Sequence, residues 1–359
     1  MGESLKEPVV LVSSAEFALK SSPVRRSMEQ RLIDDLRFAM LKAGFDGVKI
    51  EKDAGRILLR GIDDPTTVAA LCSKVFGVAY AAPAIRVDSS LETIKRSIVQ
   101  LAKDELLSGQ SFAVRSHRSS PSATSPRLVE IEGGAEVLKF LRAREVRVRL
   151  NHPDRTFFAD LSGQNAYVYS TRIPGPGGLP ISSDWKMLAI LDSGPLSLFA
   201  AYVMMRRGCL VQLLIPHIRH TQPSLDQQLR LAQKLRDLVT RERYNAFVVS
   251  IDSLPTNHRL LIRLIGLDVA KQNRFRAVIF PDVAGAISQG MVLAKRSREL
   301  GLPIFQPLLG FDQNELDELC GVFNICRAEI NFELVREEHS LDETSTVDLP
   351  KISLQEVSL

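Results

Sequence analysis

Between Leu191 and Gly208 the sequence reads LDSGPLSLFAAYVMMRRG. The apolar run KMLAILDS leads into it and helical patterning begins at Pro195, so Asp192 to Ser197 form a turn between a strand and a helix. Such a turn is suited to phosphate: glycine admits a close backbone approach, hydroxyls donate hydrogen bonds, and a helix N-terminus favours negative charge. Ser193, Gly194 and Ser197 supply these features, whereas two neighbours oppose them. Asp192 is an acceptor-only anion that repels a phosphate at contact distance, and Pro195 has no N–H to donate.

A second constellation is basic. Arg115, His117 and Arg118 end the strand-like run SFAVRSHR, the hydroxyl-rich loop SSPSATSP follows with Ser119, Thr124 and Ser125, and Arg127 stands at a helix start behind Pro126. Cations, hydroxyls and free helix N–H groups converging in this way grip a nucleic-acid backbone and suit RNA shape and ends rather than base edges. The competing reading is a solvated loop with incidental arginines. Arg147 and Arg149 alternate on one strand face and, with Arg142 and Arg144, either widen the patch or form a plain solvated face.

The four cysteines, Cys72, Cys209, Cys320 and Cys326, form no C-x-x-C pair and are too scattered for a disulfide scaffold or structural zinc. Cys320 and Cys326 are close enough in sequence to meet across a turn. They are candidates for thiol chemistry, against the alternative of two ordinary buried thiols. His217 and His220 have neither metal spacing nor acidic partners, and no metal site is expected.

The elements that must position these residues fall into three groups. The first eighty residues alternate PVVLVSS, an amphipathic run ending at Gly44, a hairpin turned at Asp53 to Gly55, and a helix capped by Asp64 before Pro65. This order suits a ferredoxin-like α+β unit over residues 1–83. The pattern restarts with helices and strands over 84–173, and the Pro/Gly-rich IPGPGGLPISSDW marks a linker at 174–183. Apolar strands then alternate with amphipathic helices over 184–331, which predicts a doubly wound parallel sheet and makes the fold class α/β. The segment 332–359, with two basic and seven acidic residues, is expected to be an acidic flexible tail. At 359 residues and formal charge +4, with 45% hydrophobic residues and no long apolar run, the chain is expected to be cytoplasmic, without membrane association.

These pieces, in this order, resemble the ThiI-type tRNA 4-thiouridine synthetase family, which is also linked to thiamin thiazole synthesis. The resemblance rests on AEFALKSSPVRRSMEQRLIDDLRFAM and KVFGVAYAAPA near the start, FAVRSHRSSPSATSPRLVEIEGGAEVL in the middle, and GPGGLP, AAYVMMRRG and LPIFQPLLGFDQNEL beyond. It implies a ferredoxin-like domain, an RNA-binding THUMP domain and a PP-loop ATP-pyrophosphatase domain. In that family the ATP loop reads S-G-G-x-D-S, which aligns with Asp192, Ser193, Gly194, Pro195, Leu196 and Ser197. Gly194 and Ser197 stay in register, while Asp192 replaces a hydroxyl and Leu196 replaces the acid serving the nucleotide or its metal. A one-residue slip restores no more of the pattern. The family segment T-G-E-S-L-G-Q aligns with FPDVAGA, keeping Asp282 and Gly285, and Gln306 stands where arginine is usual before Pro-Leu.

The resemblance therefore leads to a tRNA-binding member of the thiolation and thiamin-sulfur system whose ATP loop is degenerate, a non-catalytic or accessory protein. The alternative is an active ATP-dependent tRNA uridine sulfurtransferase that adenylates its target and uses ATP and Mg. The implied partners are tRNA, a sulfur-donor protein or an active thiolation enzyme, and a second copy in a homodimer.

Overall fold

The apolar run near the start forms β1 (Glu7–Ser13), buried from Val9 to Ser13, which lies between β3 (Arg56–Arg60) and β4 (Tyr80–Asp88) and is antiparallel to both. The computed structural model describes residues 7–14, 16, 20–53, 55–218, 223–239, 244–251, 258–283, 290–330 and 352–359. The chain divides into two compact units, Met1–Gly178 and Leu179–Leu359, so the break falls inside the Pro/Gly-rich stretch.

In the first unit, α1 (Ser22–Lys42) precedes the hairpin of β2 (Lys49–Asp53) and β3. Helix α2 (Pro65–Cys72) starts where Asp64 accepts the N–H groups of Thr66 and Thr67, the cap that the Asp-Pro pair predicts. Next come α3 (Leu91–Glu105), β5 (Ser111–Arg118), α4 (Pro126–Phe140), β6 (Arg147–Val148), β7 (Arg155–Ser162), β8 (Asn165–Tyr169) and β9 (Ile173–Pro174). Among the described residues all nine strands join one sheet, in the order β2-β3-β1-β4-β8-β7-β5-β6, with β9 on β4. The ferredoxin-like and following segments thus share continuous main-chain pairing through β4 and β8, where Ile85 lies opposite Val168. An apolar cluster containing Ile94, Ile98, Phe112, Val129 and Phe157 packs α3 and α4 onto that sheet.

The second unit begins with β10 (Ser182–Ile190), α5 (Pro195–Arg206), β11 (Cys209–Ile218), α6 (Leu225–Arg236) and β12 (Asn245–Ile251). It continues through α7 (His258–Gln272), β13 (Ala277–Ile279), α8 (Gly290–Leu300), β14 (Ile304–Phe305), α9 (Gln313–Phe323) and β15 (Ile352–Ser358). The strand order is β14-β13-β10-β11-β12-β15, parallel as expected except for β15. Chain order reverses between β10 and β13, which lie side by side with the strand that follows each in sequence on its far side. That reversal is the switch point at which parallel α/β sheets open a crevice beyond their strand C-termini. Within the segment expected to be a flexible tail, only residues 352–359 are described, and these depart from that expectation. Residues 331–351 lie outside the described set, but Ile352–Ser358 pairs antiparallel with β12 and completes an edge strand. Ile352, Leu354 and Val357 are too short a pattern, within an acidic Ser/Thr-bearing segment, to read as a strand; the unpaired edge of β12 supplies the hydrogen bonds. No helix of the described residues is long and apolar enough to cross a membrane.

Candidate functional site

The switch point is occupied by charge. Asp192 follows β10, Asp282 follows β13, and α7, which connects β12 to β13, carries two arginines one turn apart toward both of them. Arg263 Nε donates to Asp192 Oδ2 at 2.8 Å, while its Nη1 and Nη2 donate to Asp282 Oδ2 and Oδ1 at 3.2 and 2.5 Å. Arg259 Nε donates to Asp192 Oδ2 at 3.3 Å and Arg259 Nη2 donates to Ser193 Oγ at 2.5 Å. Gln306, at the end of β14, donates Nε2 to Asp282 Oδ2 at 2.6 Å. The side chains of Asp192, Arg263 and Asp282 are 1–2% exposed and that of Arg259 is 11% exposed, so these ion pairs are shielded from water. Arg263 also lies 4.6 Å from the centre of the Phe280 ring.

A glycine brings α7 close enough. A Cβ on Gly266 would overlap the Ile190 side chain of β10; Arg259, Arg263 and Gly266 fall on one helical face because they are spaced by four and three residues. The bare face of Gly266 seats the helix on β10, and the arginines one and two turns earlier reach past the strand end. Two arginines and two aspartates balance, so the buried cluster carries no net charge. Burial alone would raise the Asp192 carboxyl, but the charges of Arg263 and Arg259, with hydrogen bonds from Arg263 and Ser193, outweigh it and hold the group below the ordinary carboxylate range. Burial would lower Arg263, but the Asp192 and Asp282 carboxylates outweigh it and push the guanidinium up.

The turn is arranged to match. Gly194 caps α5 with φ 55° and ψ −128°, a backbone that favours glycine. Ser193 N–H donates to Ser197 Oγ at 3.2 Å, and Ser193 Oγ donates to Asp192 Oδ1 at 3.1 Å. Ser197 is 1% exposed and Leu196 is fully buried, so Leu196 serves the core. Gly285, the remaining member of the expected set, lies outside the described residues. Within the turn, Ser193 N–H is engaged by Ser197, the Arg259 and Arg263 guanidiniums by Asp192 and its neighbours, and Pro195 has no N–H to offer. The sequence reading singled out Asp192 and Asp282 but not their partners Arg259 and Arg263. The available signal was HRLLIRLIG, two arginines at i, i+4 within an otherwise apolar helix face, which calls for buried counter-charge.

In the first unit, β5 carries Arg115, His117 and Arg118 to an exposed end, and Ser125 caps α4 by accepting Leu128 N–H at 3.3 Å, with Arg127 exposed in the first turn. Arg115 Nη2 is steadied on the Leu150 carbonyl at 2.6 Å. Ser119 is half-buried and its N–H donates to the Leu161 carbonyl. Thr124 differs from the expectation: it is buried, and its hydroxyl donates to the Ser89 carbonyl at 2.7 Å, tying the loop to the start of α3 instead of facing solvent. Arg147 and Arg149 are exposed beside β5, whereas Arg144 donates to the Lys103 and Leu106 carbonyls and closes the end of α3.

The two thiols differ in exposure. Cys320 is buried in α9, where burial and then the Asp317 charge push it up, away from thiolate, while Cys326 is exposed. His217 ends β11 half-buried, and His220 lies outside the described residues.

A parallel sheet with a Ser-Gly turn and a helix at its switch point, following a mixed sheet with a basic strand end, defines an α/β protein with a doubly wound second unit. Comparison with known proteins agrees. Models of the ThiI ferredoxin-like domain and the THUMP domain match residues 9–82 and 88–171. A tRNA sulfurtransferase of Pyrobaculum aerophilum is 32% identical over 327 residues, covering 86% of this chain and 65% of its own length. A "probable tRNA sulfurtransferase" of Aeropyrum pernix is 30% identical over 344 residues, covering 90% of this chain and 85% of that one. Two solved structures share the fold. A protein of Pyrococcus horikoshii matches with TM-score 0.68 and 23% identity, over 89% of this chain and 100% of its own. A 4-thiouridine synthetase in complex with RNA and bound ATP matches with TM-score 0.70 and 19% identity, over 88% and 85%. The chain belongs to the tRNA sulfurtransferase family. It spans about two thirds of the Pyrobaculum aerophilum relative.

Proposed function

We propose that this protein binds tRNA through its ferredoxin-like and THUMP regions and does not adenylate it, acting as an accessory member of the tRNA thiolation system in the cytoplasm. The observation that carries this reading is the Asp192–Arg263–Asp282 cluster. Where a phosphate loop presents free donors to an anion, here the anion is already present as a buried carboxylate with both arginines bound to it. A triphosphate entering this turn would have to displace Asp192 from two guanidiniums and leave a buried carboxylate unpaired, which costs several kcal/mol. The residues present therefore do not fit ATP and Mg in the manner of an S-G-G-x-D-S loop. Cys320 is ill suited to a sulfur relay, because it is buried and the burial pushes its thiol up, away from thiolate.

RNA recognition rests on the matched THUMP segment and on the exposed Arg115, His117, Arg118 and Arg127 around the capped start of α4. These groups contact phosphates and leave bases unread. An accessory role implies a partner that does the chemistry, either a sulfur-donor protein or an active thiolation enzyme, and a homodimer is the assembly expected for the tRNA-bound form. The test is equilibrium binding of ATP·Mg with and without tRNA, alongside tRNA thiolation in a strain lacking its own enzyme. The expected outcome is tRNA binding without measurable ATP affinity or thiolation. Micromolar ATP affinity together with restored thiolation would instead make the protein an active uridine sulfurtransferase.

A further inference from the structure

At the opposite end of the second unit's sheet, where β10 and β13 begin, the chain places an exposed aromatic ring among cations. Trp185 is 53% exposed, and the Arg276 guanidinium lies 5.5 Å from its ring centre. The two are neighbours because Arg276 N–H donates to the Lys186 carbonyl at 2.8 Å, which starts the β10–β13 pairing. A depression of about 470 Å³ beside them is lined by Trp185, Lys271, Arg274, Phe275, Arg276 and Leu302. Arg274 closes α7 with φ 56°, a backbone that favours glycine, and its side chain is exposed. Lys186 Nζ sits 4.4 Å from the Phe275 ring centre, and Lys271 Nζ is bound to the Leu300 carbonyl at 2.8 Å. Among the described residues none of these four cations is in an ion pair. The nearest carboxylate in sequence, Asp184, accepts the Ser182 hydroxyl at 2.8 Å.

We infer that this depression is a stacking site for an unpaired base of single-stranded RNA, with Trp185 as the platform and Arg274 and Arg276 on the flanking phosphates. An exposed indole offers a π-face that every base can use, and arginines beside it neutralise the strand. An acidic peptide would satisfy the arginines but leave the ring uncovered. The inference deepens the proposed RNA-binding role by assigning an RNA contact to the second unit, away from the Asp192 turn. It rests on that reading only for the identity of the natural RNA.

Trp185 is the single tryptophan of the chain, so its fluorescence reports this site alone. The full-length protein is titrated with octauridylate, with tRNA and with polyglutamate. Octauridylate and tRNA should quench the emission and polyglutamate should not. Changing Arg274→Glu and Arg276→Glu together should weaken octauridylate binding by about tenfold or more while leaving the circular dichroism spectrum intact. Emission unchanged by saturating octauridylate, or quenched equally by polyglutamate, would overturn the assignment. The arms separate the two readings: tRNA that binds without quenching removes this site alone, whereas quenching by octauridylate with no tRNA affinity removes the THUMP-based role alone.

Discussion

Asp192 is the residue on which the reading of the second unit turns, and its character changes once its neighbours are known. As a free anion in a phosphate loop it would be a defect; as the shared acceptor of Arg259 and Arg263 it is half of a neutral buried cluster. Removing one member of such a pair leaves the others charged and desolvated. Asp192→Ala should therefore cost about 3 kcal/mol of stability, measured by urea denaturation. The pH dependence has a definite sign. The folded carboxyl sits below its ordinary value of 3.8, so its contribution is complete above that pH and is lost as pH falls through the depressed value. The stability difference between wild type and Asp192→Asn should be constant near neutrality and shrink below about pH 3.8; a difference that instead grew on acidification would contradict the ion pairing.

Helix α7 converts one glycine into the position of two arginines. Its face bearing Gly266 lies on Ile190 with no room for a methyl group, and the core around Ile190, Leu214, Leu264 and Leu267 is fully buried or nearly so. Gly266→Ala should destabilise the second unit by about 1–3 kcal/mol through overpacking. It should also lift Arg263 from Asp192, and thermal melting of the single and double variants with Asp192→Ala reads this coupling. Sub-additive losses are expected, because both changes break the same contacts; additive losses would show that the helix seat and the ion cluster are independent. This element shows what sequence reading reaches. The helix itself is legible in HRLLIRLIGLDVAKQN, and so is its place between two strands. Its contact with β10 is not, because β10 precedes it by two strands and two helices and becomes its neighbour only through the reversal of strand order.

Across the whole molecule, the two units carry charge differently: an exposed basic strand end in the first, and in the second a buried neutral cluster at one end of the sheet and exposed cations at the other. If the first is the tRNA grip, replacing Arg115, Arg118 and Arg127 with Ala should weaken tRNA binding and reduce its dependence on salt, since each lost phosphate contact removes about one released counterion. Affinities unchanged at two salt concentrations would count against the assignment. The same substitutions should leave the melting of the second unit unaffected, because Asp192 and its partners belong to a separate compact body.

Local pattern in the chain was enough for the order of strands and helices, the caps at Asp64 and Ser125, the turn at Gly194, the basic loop and the family, because periodicity, capping and turn chemistry act over a few residues. It also singled out Asp192 as an anion in a turn whose other features suit phosphate. What lay beyond it was the company that Asp192 keeps. Arg259 and Arg263 stand 67 and 71 positions away, and Asp282 arrives on a third element. Their meeting depends on which strands lie side by side and on how closely one helix can approach. Thr124 and the strand Ile352–Ser358 follow the same rule, one drawn inward by the carbonyl of Ser89 and the other by the open edge of β12. Partners so far apart leave no mark in a local pattern; the packed sheet brought them together.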